Sequence, residues 1–257
     1  MSTPQRPKYK LPRRFKFALW IINLVRPPAA KQKMKHILRS RRPFPVAFLR
    51  YWILGKPRPI HRVEDRMVPV RDAEIPVRMY WPSAAENLPV IINAHGGGWV
   101  QGGLYQCDHY CRQMANEVPA IVISVDYRKA PEHRFPTAIN DFYDVIQWAS
   151  EHAAEWGGDP KRIAVTGDSA GGNLSAAACL MARDQAGPKI ALQALIYPAT
   201  DGTFDYESYR IHIHAPILSR ADLHYYRDQY QAQEGDFRHP YFSPYLADNH
   251  ENLPPAF

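Results

Sequence analysis

The sequence predicts an α/β protein with a mostly parallel central sheet, helices on both of its faces and a separate helical segment at the N-terminus. Three observations predict it. Short β-rich runs alternate with helix-length amphipathic runs from residue 63 onward. Two of those runs end directly in glycine-rich turns, at His95 and at Gly167. The charge also divides the chain: residues 1–62 hold 17 Lys/Arg and no Asp or Glu, and the other 195 hold the remaining 15 basic side chains and all 25 acidic ones. The expected division is therefore a basic helical cap, 1–62, and an α/β core, 63–257.

Nine prolines in the first 62 residues leave three proline-free stretches, 13–26, 29–42 and 46–56, each long enough for three to four helical turns. Ala30, Met34, Ile37 and Leu38 fall on one face of the second, with lysines and Arg39 on the others. Three surfaces suit such helices. A cap packed over the core is preferred; a basic face lying on anionic lipid is the second reading. A signal peptide is the third, with 17–25 as its apolar stretch. The following Arg26-Pro27-Pro28-Ala29-Ala30 makes a poor cleavage site, so secretion is not expected.

In the core, 67–70 and 75–80 flank Arg71-Asp72-Ala73-Glu74 and read as a hairpin. Runs 89–94 and 120–125 read as buried strands, 138–155 as an amphipathic helix, and 163–166 as a strand. A small-residue helix follows to about Arg183. Run 190–197 is apolar on both faces apart from Gln193, the pattern of an interior parallel strand. Beyond Thr200 the chain is polar and aromatic, with one further helix across 218–233. Cys107 and Cys111, four apart, share a helix face as packing residues.

Composition narrows the function classes. At 46% hydrophobic and 22% charged over 257 residues, the chain can bury a substantial core. No apolar run approaches the ~18 residues of a membrane span. Three cysteines cannot form a disulfide framework, which fits a reducing, cytoplasmic compartment. The core is mildly acidic, so nucleic-acid binding loses its electrostatic support.

Gly167-Asp168-Ser169-Ala170-Gly171 fits G-x-S-x-G, a serine on a sharp strand-to-helix turn. Such a turn strains the serine backbone, needs small neighbours two residues away, and presents the hydroxyl at the positive end of a helix. Alone the pattern is weak; a β-branched strand before it and a small-residue helix after it strengthen it. His95-Gly96-Gly97-Gly98-Trp99 supplies the complement, because consecutive glycines let backbone N–H groups converge on a developing oxyanion. Ser169 is the expected nucleophile, and Gly97, Gly98 and Ala170 are the expected oxyanion donors. Gly96, Gly167, Asp168 and Gly171 shape the loop and the elbow, and His95 is a structural hydrogen-bonder rather than a base. A phosphate loop is disfavoured, since the Lys-Ser/Thr ending and the G-x-G-x-x-G spacing are missing.

With these motifs the sequence resembles the hormone-sensitive-lipase-like esterases of the α/β-hydrolase superfamily. Further matches are Asp126-Tyr127-Arg128-Lys129-Ala130-Pro131-Glu132, Phe135-Pro136, Gly157-Gly158-Asp159-Pro160, Gly172-Asn173 and Tyr197-Pro198, in order across about residues 64–257. The resemblance implies an α/β-hydrolase fold with an N-terminal helical cap, no cofactor and no metal. It also implies small neutral acyl-ester substrates, and a structural brace at 126–132.

One departure matters. Chain order in this fold is Ser, then Asp or Glu, then His. The family's next landmark, Leu253-Pro254-Pro255-Ala256-Phe257, is where the sequence ends. The resemblance thus implies that two strands, the acid turn, the catalytic histidine and the last helix are absent. This chain is expected to be a piece of a longer product or a catalytically crippled one. Asp201, just after a strand, is the one present carboxylate in a usual position. His212, His214, His224, His239 and His250 read as surface or cap residues, and His212 and His214 lack a third ligand for a metal. The expected function is carboxylic ester hydrolysis through an acyl-serine, with impaired activity in this chain. The alternative is a catalytically inactive small-molecule binding protein on the same fold. Contact of 1–62 with a membrane surface stays open, and no feature points to a particular oligomeric state.

Overall fold

The computed structural model describes Ala29, Arg41 and residues 56–257 apart from Pro216. The three helices expected in 1–62 lie almost wholly outside the described residues.

A polar two-residue turn, Arg71-Asp72, joins β1 (Arg62–Val70) to β2 (Ala73–Trp81), with Val70 opposite Ala73. Next come β3 (Leu88–Ala94), α1 (Leu104–Glu117), β4 (Ile121–Val125), α2 (Thr137–His152), β5 (Gly158–Asp168), α3 (Ala170–Asp184) and β6 (Ile190–Ile196). Short α4 (Glu207–Ile211) and α5 (Arg220–Tyr230) follow. The sheet runs β1-β2-β4-β3-β5-β6, antiparallel through the first three strands and parallel from β4 to β6.

Period-two burial builds the two layers. Val90 and Ile92 of β3 pack with α2 and α3 through Ile139, Phe142, Leu174 and Ala177. Ile91 points the other way and joins Cys107, Cys111 and Ala115 of α1. Every residue of α3 from Ala170 to Ala182 is buried, and alanine, serine and glycine let it lie close to the strands. All three cysteines are free and buried; burial pushes the Cys107 and Cys179 thiols up to about 12.

Several boundaries differ from the sequence reading. β5 begins five residues earlier than expected, across Gly158-Asp159-Pro160-Lys161-Arg162, where exposed polar side chains hide the strand. The helix read as 138–155 gives way to a 3-10 turn at 153–156, ended by left-handed Gly157. β6 is the last of the six named strands. On its side away from β5, residues 255–257 run beside it: Gln193 N donates to the Pro255 carbonyl at 3.0 Å and Phe257 N to the Gln193 carbonyl at 2.9 Å. Leu192 is accordingly exposed. Among the described residues no helix is long and apolar enough to cross a membrane.

Candidate active site

The register of β3 and β5 brings the two glycine motifs together. Ala94 pairs with Gly167 across adjacent parallel strands, so the chain leaves both strand ends at one level. Adjacent strands lie about 4.8 Å apart, and the carboxyl ends of parallel strands are where open α/β sheets place their sites.

The elbow is tight enough to require its glycines. A Cβ on Gly171 would sit 2.0 Å from the Ala94 carbonyl oxygen, and one on Gly167 would sit 2.4 Å from the Gly171 backbone. Between them Ser169 takes φ 54° and ψ −115°, a left-handed value that costs a non-glycine residue strain. Backbone bonds hold it there. Ser169 N donates to the Ile196 carbonyl at 2.9 Å, and the Ser169 carbonyl accepts from Asn173 N and Ala199 N. Ser169 is half-buried and leads straight into α3, whose first amide belongs to Ala170.

The glycine loop is pinned to this elbow on both sides of Gly97 and Gly98. Before them, Gly96 N donates to Asp168 Oδ1 at 2.8 Å. After them, Trp99 Nε1 donates to Asn173 Oδ1 at 3.2 Å, while Asn173 Nδ2 donates to the Ala199 and Phe242 carbonyls. Gly97 and Gly98 have φ of 129° and 62°, and Trp99 itself has φ 60°. The indole is stacked on Tyr230 with centroids 4.6 Å apart.

His95 is fully buried and stacked on Tyr127 at 4.3 Å. Its Nδ1 shares a 2.8 Å contact with the Gly96 carbonyl, and Tyr127 OH donates to the His95 carbonyl at 2.7 Å. Nε2 lies 3.6 Å from Asp126 Oδ1, too long for a hydrogen bond. Burial pushes the imidazole below its ordinary range, so it is neutral near pH 7. Below it, Arg128 meets fully buried Asp141 through its backbone N–H and its guanidinium, and Lys129 reaches Asp126.

Asp201 and three of the histidines after Ser169 make their hydrogen bonds to other partners. Asp201 spends its carboxylate on Thr203 N, Thr203 Oγ1 and Tyr206 OH, all at 2.7–2.8 Å. His224 contacts Arg220, His239 accepts from Tyr241 N, and His250 contacts the Pro244 carbonyl. His212 and His214 are exposed in the turn where α4 ends. Among the described residues none of these histidines hydrogen-bonds Ser169, and no group of three His, Cys, Asp or Glu could hold a metal ion.

Two contributors escaped the sequence reading. Helix α5 lies over the glycine loop, and a Cβ on Gly98 would come within 2.4 Å of the Tyr226 ring. Arg41 reaches the same loop from the N-terminal segment. Neither leaves a local signal, because both contacts join parts of the chain far apart in sequence.

Comparison with known proteins agrees with the fold. A family model described as alpha/beta hydrolase fold matches residues 91–257. The carboxylesterase NlhH of Mycobacterium tuberculosis is 45% identical over 202 residues, covering 76% of this chain and 63% of the relative. The carboxylic ester hydrolase LipN of the same organism is 42% identical over 200 residues, covering 76% and 53%. A solved hyperthermophilic esterase from the archaeon Pyrobaculum calidifontis superposes with a TM-score of 0.86 at 37% identity, covering 96% of this chain and 79% of that one. The chain therefore spans less than two thirds of the length of these two curated relatives.

Proposed function

From the premise that this chain belongs to the α/β-hydrolase fold family, in its hormone-sensitive-lipase-like branch, we propose that its site serves carboxylic ester hydrolysis with Ser169 as nucleophile. In that reaction Ser169 Oγ adds to the ester carbonyl and the carbonyl oxygen becomes an oxyanion. The amides of Gly97, Gly98 and Ala170 donate to it. Collapse breaks the ester C–O bond, the alcohol leaves carrying the proton that Ser169 gave up, and water then hydrolyses the acyl-serine.

The observation that carries this reading is the double pin. Gly96 is tied to the residue before Ser169, and Trp99 to a residue one helical turn after it, so the intervening amides are fixed to the frame that holds the nucleophile. The names of the relatives, a carboxylesterase and a carboxylic ester hydrolase, support small-molecule esters as the substrate class. The proton on Ser169 needs a base, and none touches it among the described residues. The 257-residue chain is therefore proposed to turn over slowly. We read 1–62 as cover for the site rather than a separate module; buried Ala29 and the contacts of Arg41 support that reading. Peripheral contact of its basic face with a membrane would require that face to be free.

The test is hydrolysis of p-nitrophenyl acetate by the chain and by Ser169→Ala. A slow rate that the substitution abolishes supports the assignment. A rate untouched by it assigns the chemistry elsewhere, and retained ligand binding without turnover favours the binding-protein alternative.

A further inference from the structure

Arg41 spans three acceptors on the core. Its Nε donates to the Val100 carbonyl at 2.7 Å and its Nη2 to the Ala130 carbonyl at 2.5 Å. Nη1 and Nη2 each meet a Glu132 carboxylate oxygen at 3.0 Å. The two carbonyls belong to segments already joined to each other, since Ala130 N donates to the Trp99 carbonyl at 2.9 Å. Val100 N and Gln101 N in turn donate to the Gly97 carbonyl at 3.2 and 2.9 Å. One guanidinium thus closes a circuit from the 126–132 turn, through Trp99 and Val100, to Gly97. Among the described residues neither the Val100 nor the Ala130 carbonyl accepts a backbone hydrogen bond of this turn.

We propose that Arg41 is a positioning residue for the oxyanion loop, a side chain from the N-terminal segment that fixes where the Gly97 and Gly98 amides sit. The proposal rests on reading those amides as the oxyanion donors. An ordinary exposed ion pair would not do this, because such pairs contribute little and are screened. Glu132 is 45% exposed and supplies only that kind of contact, whereas the Arg41 side chain is 19% exposed and satisfies two loop carbonyls. The work falls to the planar fork, which addresses several acceptors at once; a lysine ammonium is a single point charge and does not reproduce it.

Hydrogen exchange on the 257-residue chain, followed by mass spectrometry, tests the placement without relying on catalysis. In Arg41→Ala, peptides across residues 96–103 are expected to exchange about tenfold faster, while those of β4 keep their protection. Arg41→Lys is expected to stay loosened, and Glu132→Gln to remain close to wild type. Wild-type protection of 96–103 in Arg41→Ala would overturn the proposal. Loosening spread equally over β4 would overturn it too, by assigning Arg41 a general structural role. Where ester turnover is measurable, Arg41→Ala should lower kcat at unchanged KM, with partial recovery on adding guanidinium ion at sub-denaturing concentration. A raised KM with unchanged kcat contradicts the positioning role. If the wild-type chain hydrolyses no ester, the catalytic reading fails, and the exchange pattern still decides the role of Arg41.

Discussion

Gly96 and Asp168, 72 residues apart, are joined by a hydrogen bond of 2.8 Å from the Gly96 amide to Asp168 Oδ1. The bond couples the entry to the glycine loop directly to the residue before Ser169, the proposed nucleophile. Asp168→Ala removes the acceptor and frees that end of the loop. We expect kcat for an acetyl ester to fall by about 10- to 100-fold at little-changed KM, since small misplacement of oxyanion donors is costly. Asp168→Asn keeps an acceptor oxygen and should retain most of the activity. Steady-state kinetics of the two variants checks this.

Gly98 and Tyr226 are packed so closely that their substitutions are interdependent. A methyl at Gly98 would lie 2.4 Å from the ring, and the residue has φ 62°. Gly98→Ala should destabilise the chain by about 1–3 kcal/mol from overpacking and backbone strain together. Adding Tyr226→Ala relieves the collision but not the strain, so the double variant should recover only part of the loss. Urea unfolding of both singles and the double gives the coupling directly.

Buried, neutral His95 makes stability depend on pH with a defined sign. Its folded pKa is depressed by burial, with the nearby Lys129 charge acting the same way against the opposing pull of Asp126. The unfolded chain therefore binds a proton that the folded chain refuses, in the window from the ordinary histidine value of 6.5 down to the depressed one. Stability is complete above that window and falls as pH drops through it, by at most about 1.4 kcal/mol per pH unit for a single proton. His95→Gln, which can still donate to the Gly96 carbonyl, should flatten the slope between pH 7 and pH 5. Urea midpoints across that range measure it.

Much of this arrangement is legible in the sequence where a local pattern records a local cause. The hairpin shows itself because two apolar runs flank the polar stretch 71–74, of which only Arg71-Asp72 is the turn itself. The elbow shows itself because Gly167 and Gly171 must clear the Ala94 backbone, so their spacing encodes a contact. Strand order leaves no such trace: the apolar run of β6 is the same in the middle of a sheet or at its edge. Asp201 has the sequence position of a catalytic carboxylate, yet its three donors are apparent only once Tyr206 and Thr203 fold back on it. Arg41 is one of 17 basic residues in its segment, and nothing nearby distinguishes it from a solvated neighbour.

The proposal that Ser169, at its strained elbow, is the reactive serine is most directly probed by prolonged incubation with a fluorophosphonate and peptide mapping of the adduct. The rate of labelling reports on a base; the labelled position reports on the geometry. One adduct is expected, on Ser169, absent from Ser169→Ala and slower to form in Asp168→Ala. An adduct on another serine, or an unmodified Ser169 after exhaustive treatment, would contradict the proposal.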